Sequence, residues 1–161
     1  MPDDTPALHP DIAHLDWLLG TWAGKGAGEY PTIESFPYTE HVTFGHVGKP
    51  FLAYSQKTKH GETGLPLHAE SGYLRPVGAD RVEFLNVQPS GIMEIYEGVI
   101  KGTGLDLVAL HIARSDTAKE VTEATRQFRV NVDKGTLSYT MQMAAVGQPL
   151  QHHLQAVLSR Q

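Results

Sequence analysis

The stretch Leu137-Ser138-Tyr139-Thr140-Met141-Gln142-Met143 alternates strictly between apolar and polar side chains. Successive side chains of a β-strand point to opposite faces, so this pattern predicts a strand with one face in a core and the other in water. Tyr38-Thr39-Glu40-His41-Val42-Thr43-Phe44 and Phe128-Arg129-Val130-Asn131-Val132 alternate in the same way. Arg81-Val82-Glu83-Phe84 and the stretch from Gly91 to Val99 are further candidates, and Leu105 to Ala113 reads as a strand that is apolar on both faces. Glycine and proline recur between these segments at intervals of roughly 8–12 residues, the spacing of strands joined by tight turns. The count comes to about nine or ten strands with no βαβ rhythm, which predicts an all-β antiparallel meander. Closing such a meander into a barrel removes the exposed edges it would otherwise leave.

The two ends read differently. Residues 1–10, with prolines at 2, 6 and 10, read as a flexible leader, and residues 11–161 as a single domain. Asp11 to Leu19 places Ile12, Leu15, Leu18 and Leu19 on one side of a short helix, with Pro10 before it and Gly20 just past its end. Near the C-terminus, Leu150, Leu154, Val157 and Leu158 fit a helical period, but the same segment fits a period of two. In the second reading Leu150, Leu154, Ala156 and Leu158 share one face, and His153, Gln155 and Val157 the other.

Composition narrows the chemistry. The 161 residues carry 13 Lys and Arg against 18 Asp and Glu, a formal charge of −5, which does not resemble a general nucleic-acid binder. No apolar run is long enough to cross a bilayer, and the acidic N-terminus is not a secretory signal, so a cytoplasmic location is expected. With no cysteine, disulfides, thiolate metal sites and cysteine nucleophiles are excluded. Gly24-Lys25-Gly26-Ala27-Gly28 fails the dinucleotide fingerprint, because the third glycine would fall at Glu29. Neither a His-Glu-x-x-His nor a Gly-x-Ser-x-Gly motif occurs.

What remains is nine histidines. Zinc wants three or four protein ligands, whereas haem takes its equatorial ligands from the macrocycle and needs as few as one from the protein. A histidine near Met141, Met143 and aliphatic side chains suits haem better than zinc.

Several blocks then carry a resemblance. Gly20-Thr21-Trp22-Ala23-Gly24-Lys25-Gly26 has the form Gly-x-Trp-x-Gly-x-Gly. It is followed by Gly28-Glu29-Tyr30-Pro31-Thr32-Ile33, His46-Val47-Gly48-Lys49-Pro50 and Leu67-His68-Ala69-Glu70-Ser71-Gly72-Tyr73. The chain closes with Met141-Gln142-Met143 and Pro149-Leu150-Gln151-His152-His153-Leu154. In this order and spacing, from about residue 15 onward, the chain resembles the nitrobindin family of haem proteins.

The resemblance implies a ten-stranded antiparallel barrel, similar in architecture to fatty-acid-binding proteins, and therefore a strand at the C-terminus. It implies one b-type haem per chain, with His153 as the iron ligand and His152 at a variable position. Thr32 matches a haem contact of the family, Lys119 is a second candidate for the propionates, and His68 is placed on the open side. Leu67, Met143 and Val157 are candidates for apolar packing against the macrocycle. Gly20, Trp22, Gly24 and Gly26 read as structural, with Trp22 plugging one barrel end. The activity implied is redox-neutral isomerisation of peroxynitrite to nitrate at ferric haem, together with nitric oxide binding; related proteins are often dimeric, so a homodimer is expected. The alternatives are a nitric oxide or peroxynitrite sensor, and a carrier of an apolar small molecule.

Overall fold

The computed structural model describes residues 4–161. A 3₁₀ helix, Pro10–Leu18, leads into ten strands. They are β1 (Gly20–Tyr30), β2 (Ile33–Gly45), β3 (Leu52–His60), β4 (Pro66–Val77), β5 (Arg81–Gln88), β6 (Ile92–Lys101), β7 (Gly104–Arg114), β8 (Val121–Asn131), β9 (Thr136–Ala145) and β10 (Gln151–Arg160). Each pairs antiparallel with its sequence neighbour, and β1 pairs with β10, with Trp22 opposite Arg160 and Gly28 opposite Leu154. The sheet is thus a closed barrel, as the strand census and the resemblance lead one to expect. The C-terminal segment is a strand.

The N-terminal helix is 3₁₀ rather than α, and its sequence explains why. Its buried residues are Ile12, Leu15 and Leu18, a spacing of three that matches the three residues per turn of a 3₁₀ helix. Leu19, assigned to the same face in the sequence reading, lies beyond the helix as its C-cap. Of the expected leader, residues 1–3 lie outside the described residues, and Leu8 packs against the core.

The helix closes one end of the barrel. Trp22, fully buried, donates its indole N–H to the Leu18 carbonyl at 2.9 Å, and the Arg160 guanidinium stacks over its ring at 4.1 Å. Arg160 also donates to the carbonyls of Leu19 and Trp17. Helix, first strand and last strand are therefore tied together at one point, and apolar residues such as Leu52, Leu137 and Leu158 fill the barrel there.

The middle of the barrel is a buried polar belt. Arg126 donates two 2.8 Å hydrogen bonds to the Glu70 carboxylate, a third to Glu94 at 3.3 Å, and one to the Tyr96 hydroxyl at 3.0 Å. Charged groups survive burial when paired and fully hydrogen-bonded, and this cluster meets that condition. Glu94 also accepts from Tyr96, Asn86 and Gln88. Nearby, Glu40 accepts from Tyr139 at 2.7 Å and from Gln56 at 3.1 Å, with no cation bonded to it.

Two features of the wall bear on the open end. The inward positions Gly26 and Gly28 of β1 leave room for the aromatic rings of β2: a Cβ on Gly26 would lie 2.4 Å from the Tyr38 ring, and one on Gly28 2.3 Å from Phe36. The freed space lets Tyr38 reach the Tyr139 hydroxyl at 2.7 Å. Among the described residues, no helix is long and apolar enough to cross a membrane.

Candidate functional site

The end of the barrel opposite the helix opens into a cavity of about 430 Å³, within the range of small-molecule sites. Its walls include Ile33, Phe36, Leu67, Met141, Met143 and Leu154 as apolar surface, with His68, Glu70, Gln56, Lys119 and His153 as polar groups. Three strands and the β7–β8 connection thus bring together five residues singled out from the sequence: His153, His68, Leu67, Met143 and Lys119.

His153 reaches this cavity because β10 is irregular. His152 pairs with Gln142 and Leu154 pairs with Met141, which leaves His153 as an extra residue in a β-bulge. Leu154, Ala156 and Leu158 alternate inward, and unbroken alternation would carry His152 inward with them. The bulge reverses the parity. His153 lines the cavity, while His152 lines depressions of the outer wall beside Gln155 and Gln142.

The bulge also corrects one expectation. Val157 was expected on the face of His153, packed against the ligand. It is 61% exposed on the outer wall, because regular alternation resumes after the bulge and puts positions 155 and 157 outside. Leu154, three residues nearer the opening and on the opposite face, lines the cavity instead. Thr32 is in the exposed β1–β2 turn next to Ile33, which does line the cavity.

The imidazole is held by a neighbour the sequence did not name. Nδ1 of His153 lies 2.9 Å from the Glu29 backbone carbonyl. A carbonyl accepts only, so Nδ1 carries the proton and Nε2 is the bare nitrogen available for coordination. Burial pushes the His153 imidazole below its ordinary pKa, which favours the neutral form that binds metal. The register between β1 and β2 also shifts here, with Glu29 alone opposite Glu34 and Ser35 of β2. The bulged residue of β10 is therefore bonded to the β1 residue that faces the irregularity in β2.

Below this opening, His68 Nε2 sits 3.3 Å from Glu70, which joins the cavity to the polar belt. Burial alone would push Glu70 up, but the Arg126 guanidinium overrides it and holds the carboxyl well below the usual range. Glu40 has no such partner, and burial raises it to about 7.

The donor set fits a haem. One neutral imidazole with a fixed tautomer faces a cavity with sulfur and aliphatic walls, and Lys119 stands at its rim for a carboxylate. Among the described residues, no three His, Cys, Asp or Glu side chains converge on a metal position, so a single-ligand cofactor fits this geometry where a multi-ligand zinc site would not.

A family model described as "THAP4-like, heme-binding beta-barrel domain" matches residues 11–160. The chain belongs to this heme-binding β-barrel family. Peroxynitrite isomerase 2 of Mycobacterium avium (strain 104) is 55% identical, over 100% of this chain and 99% of its own length. Peroxynitrite isomerase of Nocardia farcinica (strain IFM 10152) is 52% identical, over 99% of this chain and 96% of its own length. The crystal structure of Rv2717c from M. tuberculosis superposes with a TM-score of 0.89 at 49% identity, covering 96% of this chain and 99% of that one. Like the other members of the heme-binding β-barrel family, this chain takes haem as its cofactor.

Sequence reasoning missed the polar belt, although its signal was legible. Glu40 shares a face with Tyr38, Val42 and Phe44, Glu94 with Ile92 and Tyr96, and Arg126 with Ala124, Phe128 and Val130. A charge in an apolar register is either an error of pairing or a buried network, and here it is the latter.

Proposed function

We propose that this protein is a haem-dependent peroxynitrite isomerase in which His153 would hold the iron. The observation that carries the reading is the bare Nε2 of His153 facing the cavity while Glu29 holds Nδ1. The names of the mycobacterial and nocardial relatives supply the reaction. When bound, ferric haem supplies the iron at which peroxynitrite is converted to nitrate without net oxidation or reduction.

The chain's own part is to bind, orient and shield. Met141, Met143, Leu154 and Leu67 would pack against the apolar macrocycle, and Lys119, with Thr32 in the nearby turn, would pair with its carboxylates. His153 supplies a neutral nitrogen at all but acidic pH. His68, hydrogen-bonded to Glu70, offers its imidazole to ligands entering the cavity.

The reading extends to nitric oxide as a second ligand, to a homodimer and to a cytoplasmic location. The test is titration of the protein with ferric haem, followed by rapid mixing with peroxynitrite. A saturable one-to-one Soret shift and an accelerated, near-quantitative yield of nitrate are expected. Haem binding without acceleration would leave a sensor, and absence of binding would overturn the proposal.

A further inference from the structure

His153 is the extra residue of the bulge between β10 and β9, and Glu29 lies where β1 and β2 lose register, opposite two residues of β2, Glu34 and Ser35. Tyr30 is placed to hold the two together. Its ring meets the His153 imidazole edge to face, with centroids 5.4 Å apart at 78°. Its hydroxyl accepts the Ala145 N–H at 2.8 Å and directs its proton at the carbonyls of Met143, at 3.1 Å, and Ala145, at 3.3 Å. One side chain thus spans the barrel seam. It fixes the end of β9, where Met143 walls the cavity, and presses against the ring of β10 that faces it.

The turn that follows has two backbone hydrogen bonds of its own, from Val146 N–H to the Glu120 carbonyl at 3.0 Å and from Gln148 N–H to the Ala145 carbonyl at 2.9 Å, and Tyr30 anchors the strand end before it. Val146, the next residue after Ala145, has φ +48°, a left-handed conformation disfavoured for a β-branched residue. The Tyr30 hydroxyl, itself buried, is accordingly saturated by backbone partners on both sides of Ala144. It is spent on geometry rather than on a ligand.

We propose that Tyr30 is a positioning residue: its ring sets the plane of the His153 imidazole so that Nδ1 stays on the Glu29 carbonyl, and its hydroxyl, bonded to the end of β9, holds that ring in place. Part of the inference, the consequence for iron ligation, rests on His153 being the axial ligand; the effect on the imidazole does not. Positions that orient a metal-binding histidine typically change metal affinity by about 10–100-fold when altered.

The test compares Tyr30→Phe, which keeps the ring and loses the clamp, with Tyr30→Leu, which loses both. In the apoprotein, ¹⁵N-detected imidazole shifts of His153 report its tautomer without any haem. The Nδ1–H form is expected to dominate in the wild type, to mix with the other tautomer in Tyr30→Phe, and to lose preference in Tyr30→Leu. In the ferrous haem complex, the iron–histidine stretching band is expected to broaden or shift in the same order, and ferric haem affinity to fall about tenfold or more. Wild-type tautomer and stretching band in both folded variants would overturn the proposal. Should Tyr30→Leu fail to fold, Tyr30→Phe and the wild-type contact between the Tyr30 and His153 ring protons still decide it, and absence of that contact also overturns it. A tautomer that depends on Tyr30 beside haem binding that ignores His153→Ala would keep the positioning role and remove the ligand assignment.

Discussion

Arg126 on β8 and Glu70 on β4 meet inside the barrel through two parallel hydrogen bonds of 2.8 Å each, 56 residues apart in sequence. The planar guanidinium matches the carboxylate fork, and its remaining reach goes to Glu94 and Tyr96. Arg126→Met leaves two buried carboxylates, Glu70 and Glu94, without a cation. Breaking a buried pair from one side costs about 3–5 kcal/mol. At about 2–4 °C per kcal/mol for a chain of this size, a clear drop in melting temperature is expected by calorimetry. Lys in place of Arg recovers little, because a point charge cannot reproduce the fork.

Glu40 gives stability a pH dependence. Its carboxyl titrates near 7 in the fold against 4.5 for the ordinary group, so the folded state holds the proton longer than the unfolded chain. Below about pH 4.5 both forms are protonated and the group contributes no slope. Between 4.5 and 7 the unfolded state is the more ionised, and stability falls as pH rises. Above 7 the loss is complete, on the order of 3 kcal/mol. Urea titrations across this window are expected to show that slope, and Glu40→Gln to flatten it.

The bulge sends two adjacent histidines to different sides of the wall. His153→Ala is expected to weaken ferric haem binding by two or more orders of magnitude in a Soret titration, and His152→Ala to leave it within about twofold. Val157→Thr, on the outer wall, is likewise expected to be silent in that titration, with a stability change within about 0.5 kcal/mol. Acid should release haem from the wild type: burial lowers the His153 pKa, so the ligand stays neutral until pH falls below the ordinary histidine value of 6.5.

Gly26 sets the shape of the wall. A methyl group there would meet the Tyr38 ring at 2.4 Å and the Gln155 carbonyl at 2.6 Å, and the second of these is backbone that cannot swing away. Gly26→Ala is expected to cost about 1–3 kcal/mol. The ring must move, so the 2.7 Å contact between the Tyr38 and Tyr139 hydroxyls should be lost, which near-ultraviolet tyrosine signals would register.

Much of this architecture was legible in the chain. Period-two alternation marked β2, β8 and β9 directly, because each has one face in the core and one in water. The first strand was harder to read, since its inward positions after Trp22 are Gly24, Gly26 and Gly28, which leave no apolar signature. At the site, the family resemblance pointed to His153, but its orientation depends on one inserted residue. A pattern that counts in twos cannot register an insertion, so Val157 was carried to the wrong face. The Glu29 carbonyl was invisible for a different reason: every residue has one, and only the folded seam shows which is used.

That seam joins chain segments made far apart in time. Glu29 and His153 are 124 residues apart, and the cavity between them has walls from strands early and late in the sequence. During synthesis, the first strand of the barrel waits without its partner, and the Glu29 carbonyl has no imidazole to accept from until β10 has left the ribosome. The wall of the cavity is therefore completed only when the first and last strands meet.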